Sequence, residues 1–299
     1  MDGKPSIRPL SDKDVPSVVT IINERYKDSY EEIPFTEDSF LSYVQERKST
    51  VLVAEDAGRV RGAIVFVVYP WGNCIDMLAA QKSSDYQRTE DLLVQELERL
   101  VKVEEIYTNL DEGSPEMQNW VRRGYAAEGG LYHMVAQLKG QALVPAVKGK
   151  AALRSIRSGE EEALVELVNK SFGYERLTIN EVRDWKKVPE FTEEWVHVAE
   201  ADGKLISVTA SMLDQEYSEY FGRRRGYLGP AATLPEYKNK GLASALTKRA
   251  TNFLASKGME SASLYVLETN APSIKLAQKL GFSISHHWIH MRKRFGKQH

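Results

Sequence analysis

Cysteine is nearly missing from this chain. Cys74 is the single one in 299 residues, so no intrachain disulfide can form and the expected setting is a reducing cytoplasm. Long apolar runs are missing as well. None approaches the roughly 18 residues that a membrane span needs, and no membrane association is expected. Neither sign of charge dominates: the net charge is −2, without the basic footprint of a dedicated nucleic-acid binder. The six histidines include His286, His287 and His290, but no carboxylate or cysteine stands at ligand spacing from them. That cluster fits a polar strand near the C-terminus, and no metal is expected. Met1–Leu10 shows no charged-then-apolar leader, in keeping with the cytoplasmic expectation.

What remains is the composition of an ordinary globular protein, 42% hydrophobic and 27% charged, in a chain longer than one core usually requires. The sequence is written twice. SIRPLSDKDVPSVVTIINERY opens with a short strand and a Ser11–Asp14 cap; ALRSIRSGEEEALVELVNKSF repeats it, with Ser158 and Glu161 at the same spacing. A hairpin follows in each half, VLVAEDAGRVRGAIVFVV and VHVAEADGKLISVTASML. Then SDYQRTEDLLVQELERL occupies the place of PEYKNKGLASALTKRA, and MQNWVRRGYA that of IKLAQKLGFS. The separation between matched residues grows slowly from Ala54/Ala199 through Tyr86/Tyr237 to Gly124/Gly281, as two copies of one fold with small loop insertions would show. KGQALVPAVKGKA between them has the Gly, Pro and Lys content of a linker. The expectation is two tandem α/β (α+β) domains, residues 1–140 and 150–299, each a mixed central sheet flanked by helices.

The second copy holds the most informative stretch. Residues 224–235 form a strand that Pro235 ends, because proline cannot donate to a continuing ladder. Beyond it, Leu242, Leu246, Phe253 and Leu254 keep one face of a helix apolar until Lys257-Gly258. The loop between them therefore leads to a helix N-terminus, where unpaired N–H groups and a positive dipole end attract anions. Gly241 and Ala243 keep side chains out of the way, while Lys238 and Lys240 add charge. Neither the Walker pattern nor G-x-G-x-x-G is present.

Lys238-Asn239-Lys240-Gly241-Leu242-Ala243 resembles instead the (Gln/Arg)-x-x-Gly-x-(Gly/Ala) loop of the GNAT N-acetyltransferase superfamily, with Lys in the first place. SLYVLETNAPSIKLAQKLGF (263–282) is similar to that family's next strand, its Asn, its short helix and the closing Gly-Phe. The resemblance covers 150–295, and in weaker form 5–138. The tandem plan, with the active copy at the C-terminus, is similar to that of mycothiol synthases. The resemblance implies that acetyl-CoA lies between two splayed parallel strands, ending at Thr233 and Thr269, and that no metal takes part. It implies a pyrophosphate held by the amides of Asn239, Lys240, Gly241, Leu242, Ala243 and Ser244, and a pantetheine arm along Ala231, Ala232 and Thr233. A backbone N–H at Ala231 would polarise the acetyl carbonyl, and Asn270 and Ser273 would contact the cofactor unless they only cap their helix.

The family's frequent proton donor, a Tyr in the helix before Gly-Phe, is replaced by Ala277. If strands 206–220 and 224–234 form a hairpin turning near Gly222, Asp214 lies opposite Ala231 and Glu216 opposite Gly229. These two and Glu268 are the candidate general bases. Arg223–Arg225 fit a solvated hairpin tip, and Tyr217, Tyr220 and Tyr227 either line an acceptor pocket or are plain strand residues. In the first copy, Glu90 and Leu92 align with Gly241 and Ala243, and Ser114 with Asn270. A carboxylate in a phosphate loop repels the ligand, so this copy is expected to hold no cofactor, with Glu90 and Asp91 as acids in a helix's first turn. The implied activity is acetyl transfer from acetyl-CoA to a primary amine, small-molecule or peptide, by direct attack in a ternary complex. Acetylation of a protein N-terminus or lysine, and a non-catalytic CoA-binding or scaffold role, remain open. So does the oligomeric state.

Overall fold

The structure is a computed structural model that describes residues 5–296; part of the stretch inspected for a leader lies outside them. The first copy runs β1 (Ser6–Pro9), a 3-10 turn, α1 (Val15–Tyr26), α2 (Glu37–Glu46), β2 (Thr50–Asp56), β3 (Arg59–Tyr69), β4 (Gly72–Ala80), α3 (Tyr86–Leu100), β5 (Glu105–Asp111), α4 (Met117–Arg122) and β6 (Ala126–Gln137). The second runs β7 (Ala152–Ser155), α5 (Glu161–Phe172), α6 (Ile179–Trp185), β8 (Val196–Ala201), β9 (Lys204–Leu213), α7 (Gln215–Phe221), β10 (Arg225–Thr233), α8 (Leu242–Ser256), β11 (Ser261–Leu267), α9 (Ala271–Lys279) and β12 (Ser283–Arg294). Each copy is thus a mixed sheet flanked by helices. No helix among the described residues is long and apolar enough to cross a membrane.

The compact units do not follow the linear division at residues 140–150. One unit comprises Met1–Gly130 with His287–His299, the other Leu131–His286. The reason is that the final strand of each copy pairs away from its own. In the first unit β12 runs antiparallel to β5, from Trp288 opposite Asp111 to Arg294 opposite Glu105. In the second, β6 runs antiparallel to β11, from Leu131 opposite Leu267 to Gln137 opposite Ser261. Strand order is β1-β2-β3-β4-β5-β12 in one and β6-β11-β10-β9-β8-β7 in the other, parallel only at β4/β5 and β10/β11.

Both faces of each sheet are covered, which is why strands such as RGAIVFVVY are apolar throughout rather than alternating. In the first unit Ile64 and Phe66 face one cluster with Leu93, Leu97 and Trp120, while Ala63, Val65 and Val67 face another with Val18, Ile22 and Phe40. Met291 of β12 is fully buried in the former.

The two copies share a device that patterning did not reveal. Arg8 on β1 grips Asp14 at 2.6 Å and Glu55 at 2.5 Å, and Arg154 on β7 grips Glu160 at 2.7 Å and Glu200 at 2.6 Å. The Arg8 guanidinium holds the Asp14 carboxyl well below the usual range. Asp14 accepts from the Ser11 amide at 2.9 Å, so the first cap forms. The second is displaced by one residue: Glu160, not Glu161, accepts from the Arg157 amide at 2.8 Å, and Ser158 stands aside because Arg154 fixes Glu160. In each copy an Asn on the first helix then clamps the next loop by its backbone. Asn23 bonds both N–H and C=O of Phe35, and Asn169 those of Leu177.

Two expected outcomes follow from this packing. Met291→Ala costs about 2–5 kcal/mol through the cavity it leaves. Hydrogen exchange should show lost protection on β5 and β4 with β8 and β9 unchanged, since Met291 belongs to the first unit. His133 and His197 are buried, and burial pushes each imidazole down to about 4. The unfolded chain protonates near 6.5, so it binds more protons than the folded chain between about pH 6.5 and 4, and stability falls as pH drops through that window. Urea unfolding should lose about 2 kcal/mol per histidine between pH 7 and 5, and His197→Gln should remove about half of that slope.

Candidate active site

The second unit's cleft begins where β10 leaves β11. They pair in parallel only at Arg225/Ser261, Gly226/Ala262 and Tyr227/Ser263. Beyond that, β11 remains bonded to β6 as far as Leu267 and β10 remains bonded to β9 as far as Thr233, so the edges that face each other from Leu228 and Leu264 onward are unpaired. A bulge on β10 accompanies the parting: Leu228 faces Ser211 and Ala231 faces Thr209, leaving Gly229 and Pro230 against a single residue of β9. Pro230 has no N–H, which leaves the amides of its neighbours to serve the opening.

At the end of β10 the chain makes a 3-10 turn, Pro235–Tyr237, then reverses through Asn239 (φ 63°) and Gly241 (φ 83°) into α8. Among the described residues no acceptor exists for any backbone N–H from Asn239 to Ser244. Backbone donors are rarely left unsatisfied; here consecutive ones converge on a helix N-terminus, the arrangement that binds anions. Lys238 is exposed beside them, and the Lys240 ammonium lies over the Tyr237 ring at 4.4 Å. The linker passes close by. The Lys148 amide donates to the Lys240 carbonyl at 2.9 Å, and Lys148, Lys150, Tyr237 and Lys240 share a cavity of about 270 Å³.

Other expected residues stand elsewhere. Residues 215–221 form a helix rather than strand, so the hairpin alignment fails and Thr209, not Asp214, lies opposite Ala231. Asp214 instead binds the buried Arg225 at 2.8 Å, and the Arg225 guanidinium sits 3.3 Å over the Tyr217 ring. Arg225 is therefore no solvated tip, and a carboxylate engaged this way is poorly suited as a base. Glu216 is exposed on α7, and Glu268 is exposed in the turn after β11. Asn270 caps α9, its side chain accepting from the Ser273 amide at 3.3 Å. Ala277 is buried under that helix.

Tyr227, which the sequence offers either as pocket lining or as a plain strand residue, lies beside the bulge. Its ring lies over Gly229: a Cβ there would stand 2.8 Å from the Tyr227 hydroxyl and 3.0 Å from Cε1. Burial raises the phenol's pKa, against a smaller pull downward from Arg176. A Tyr two residues before a Gly on a strand that ends at the loop was the available signal.

The first unit retains the bulge and the brief parallel pairing, Cys74/Tyr107 and Ile75/Thr108, but not the cradle. Asp76 is the bulged residue, and its carboxylate accepts from the Tyr43 and Tyr69 hydroxyls. α3 starts at Tyr86, directly after residues 81–85, where the second unit spends 234–241 on its loop. Glu90 and Asp91 consequently fall in the helix's second turn, not its first. Glu90 is buried and bound to Arg123 at 2.9 Å, with burial raising its pKa and Arg123 opposing, so it guards no loop mouth. Among the described residues no group of His, Cys, Asp and Glu is placed to hold a metal.

The second unit is thus a mixed sheet with one parted parallel pair, a bulge at the parting and a run of acceptorless amides at the start of the next helix. Comparison with known proteins adds that residues 161–282 match the acetyltransferase (GNAT) family. Mycothiol acetyltransferases from Actinosynnema mirum and Amycolatopsis mediterranei are each 29% identical, over 51% and 46% of this chain. The matches span about half the length of these curated relatives, 51% and 48%. A GCN5-related N-acetyltransferase from Sphaerobacter thermophilus has the same fold, with a TM-score of 0.68 and 16% identity over 98% of this chain and 96% of that one. So does a tandem GNAT protein from the clavulanic acid biosynthesis pathway, at 0.67 and 14% over 99% and 100%.

Gly241 is required by its backbone as much as by its lack of a side chain, since its Cβ would also meet the Ala146 carbonyl at 3.4 Å. Gly241→Ala is expected to cost about 1–2 kcal/mol and Gly241→Asn less, because Asn tolerates left-handed backbone. Urea denaturation of the two variants checks this.

Proposed function

We propose that the second unit is an acetyl-CoA-dependent N-acetyltransferase that delivers the acetyl group to a primary amine by direct attack in a ternary complex. The observation that carries this reading is the run of acceptorless amides from Asn239 to Ser244, lying at the end of the unpaired β10 edge. The amides supply a seat for a diphosphate, and the open edge of β10 at Ala231 and Thr233 offers backbone groups to an extended amide-bearing arm, as an added strand would find. The bulge lets a backbone N–H at Ala231 meet an acetyl oxygen, a contact often worth ~10²–10³ in rate.

With Asp214 held by Arg225, the amine's proton leaves to water. A departing thiolate of pKa ~8.5 is protonated from water at neutral pH without a tyrosine at position 277. The named relatives are acetyltransferases for mycothiol; acetyl transfer is the part of that activity this geometry supports, and the acceptor class here is a small amine. The first unit takes no cofactor, because Asp76 and its tyrosines occupy the bulge and helix replaces the loop.

Calorimetric titration of acetyl-CoA tests the reading: one site per chain is expected. Ala243→Glu should weaken binding at least 100-fold while leaving thermal stability unchanged or higher, since an acid in a helix's first turn favours the helix but repels a diphosphate. Thiol release across a panel of small amines and peptides then identifies the acceptor. Binding without turnover on any amine would leave a CoA-binding protein instead, and no binding at all would refute the cradle.

A further inference from the structure

The bulge on β10 brings a side chain, not only amides, to the place where β10 and β11 part. Tyr227 and Gly229 share one sheet face, and the phenol is laid along the strand so that its hydroxyl lies within 2.8 Å of where a Cβ of Gly229 would be. Any other residue at 229 would evict it. The ring is held from the side by Tyr265, with centroids 5.8 Å apart. Pro230, next in the bulge, donates nothing, so the opening is short of one backbone donor at the point where β10 and β11 part. Among the described residues nothing hydrogen-bonds the Tyr227 hydroxyl, although Tyr26, Tyr43, Tyr69 and Tyr125 each have a partner for theirs.

We propose that the Tyr227 hydroxyl is the side-chain donor to the acetyl oxygen, completing with the Ala231 amide the site that receives negative charge; this rests on the acetyltransferase reading above. When the amine nitrogen bonds to the acetyl carbon, the C=O π pair moves to oxygen, and the hydroxyl and the amide hold it. The pair then returns, the C–S bond breaks, and sulfur leaves with its electrons as CoA thiolate. The ammonium proton goes to water and the thiolate takes one from water, giving the amide and CoA. Tyr227 keeps its proton throughout, which the burial of its ring favours.

The test compares plain CoA with S-(2-oxopropyl)-CoA, whose ketone presents the same oxygen without a cleavable thioester. Wild type should bind the ketone about tenfold more tightly than CoA. Tyr227→Phe, which keeps the ring in place, should bind CoA unchanged, lose the preference for the ketone, and fall ~10²-fold in kcat with KM for acetyl-CoA little altered. Circular dichroism and thermal unfolding confirm that the variant is folded. A Tyr227→Phe protein that retains the ketone preference, or whose kcat stays within twofold of wild type, overturns the assignment while leaving the acetyltransferase reading intact. A wild type that binds neither ligand overturns both.

Discussion

Everything in the second unit turns on two strands that cannot stay together. Parallel pairing at Arg225–Tyr227 gives way because β10 carries two residues, Gly229 and Pro230, where β9 has room for one, and because one of the two has no N–H. A sheet normally saturates its backbone groups, and an unpaired interior edge is costly unless something else pairs with it. β11 escapes that cost on its other side by bonding β6 along its whole length. Within the second unit, β6 secures β11 so that β10 is free to depart from it.

The same constraint sets the position of the cradle. Once β10 runs on alone to Thr233, α8 must start far enough beyond it for the chain to turn back, and residues 234–241 take two left-handed steps in doing so. Among the described residues the amides of 239–244 are left there without acceptors. In the first unit α3 starts earlier, the amides are spent inside a helix, and no cradle arises, although bulge and parting are both kept. The first unit differs at this point by a shorter connection, not by a charge placed in a loop. Glu90 shows the consequence: it became a core residue that needs Arg123 as a partner.

Much of this was legible in the chain. The doubled pattern, both hairpins, the linker and the glycine-bearing loop are local signals, fixed by turn chemistry and apolar spacing, and residues 239–244 lie on the turn that leads into α8. What was not legible depended on pairing over distance. Reading QEYSEYF as strand follows from aromatics that suit one, whereas Asp214 at its head and Gly222 (φ 66°) at its end close a short helix. That error moved Asp214 from a salt bridge to a supposed base. Sequence alignment on Tyr86 and Tyr237 likewise hid the shortened loop, since one begins a helix and the other ends a 3-10 turn. Strand exchange left no mark in composition at all, because β6 and β12 have to suit an antiparallel partner whichever copy supplies it.

The altered capping in the second copy shows how such differences are absorbed. Arg154 needs a carboxylate at the spacing that Asp14 has from Arg8, and Glu160 meets it although Ser11 is replaced by Arg157. The hydroxyl was dispensable; the guanidinium's two acidic partners were not, because an arginine this shielded keeps its charge and must have it matched. The first strand, first helix and first hairpin of each unit are therefore locked by one ion cluster, while the cleft-forming half diverges freely. Scaffold and cleft answer to different constraints, which is how the connection after the bulged strand differs between the units while the fold is kept.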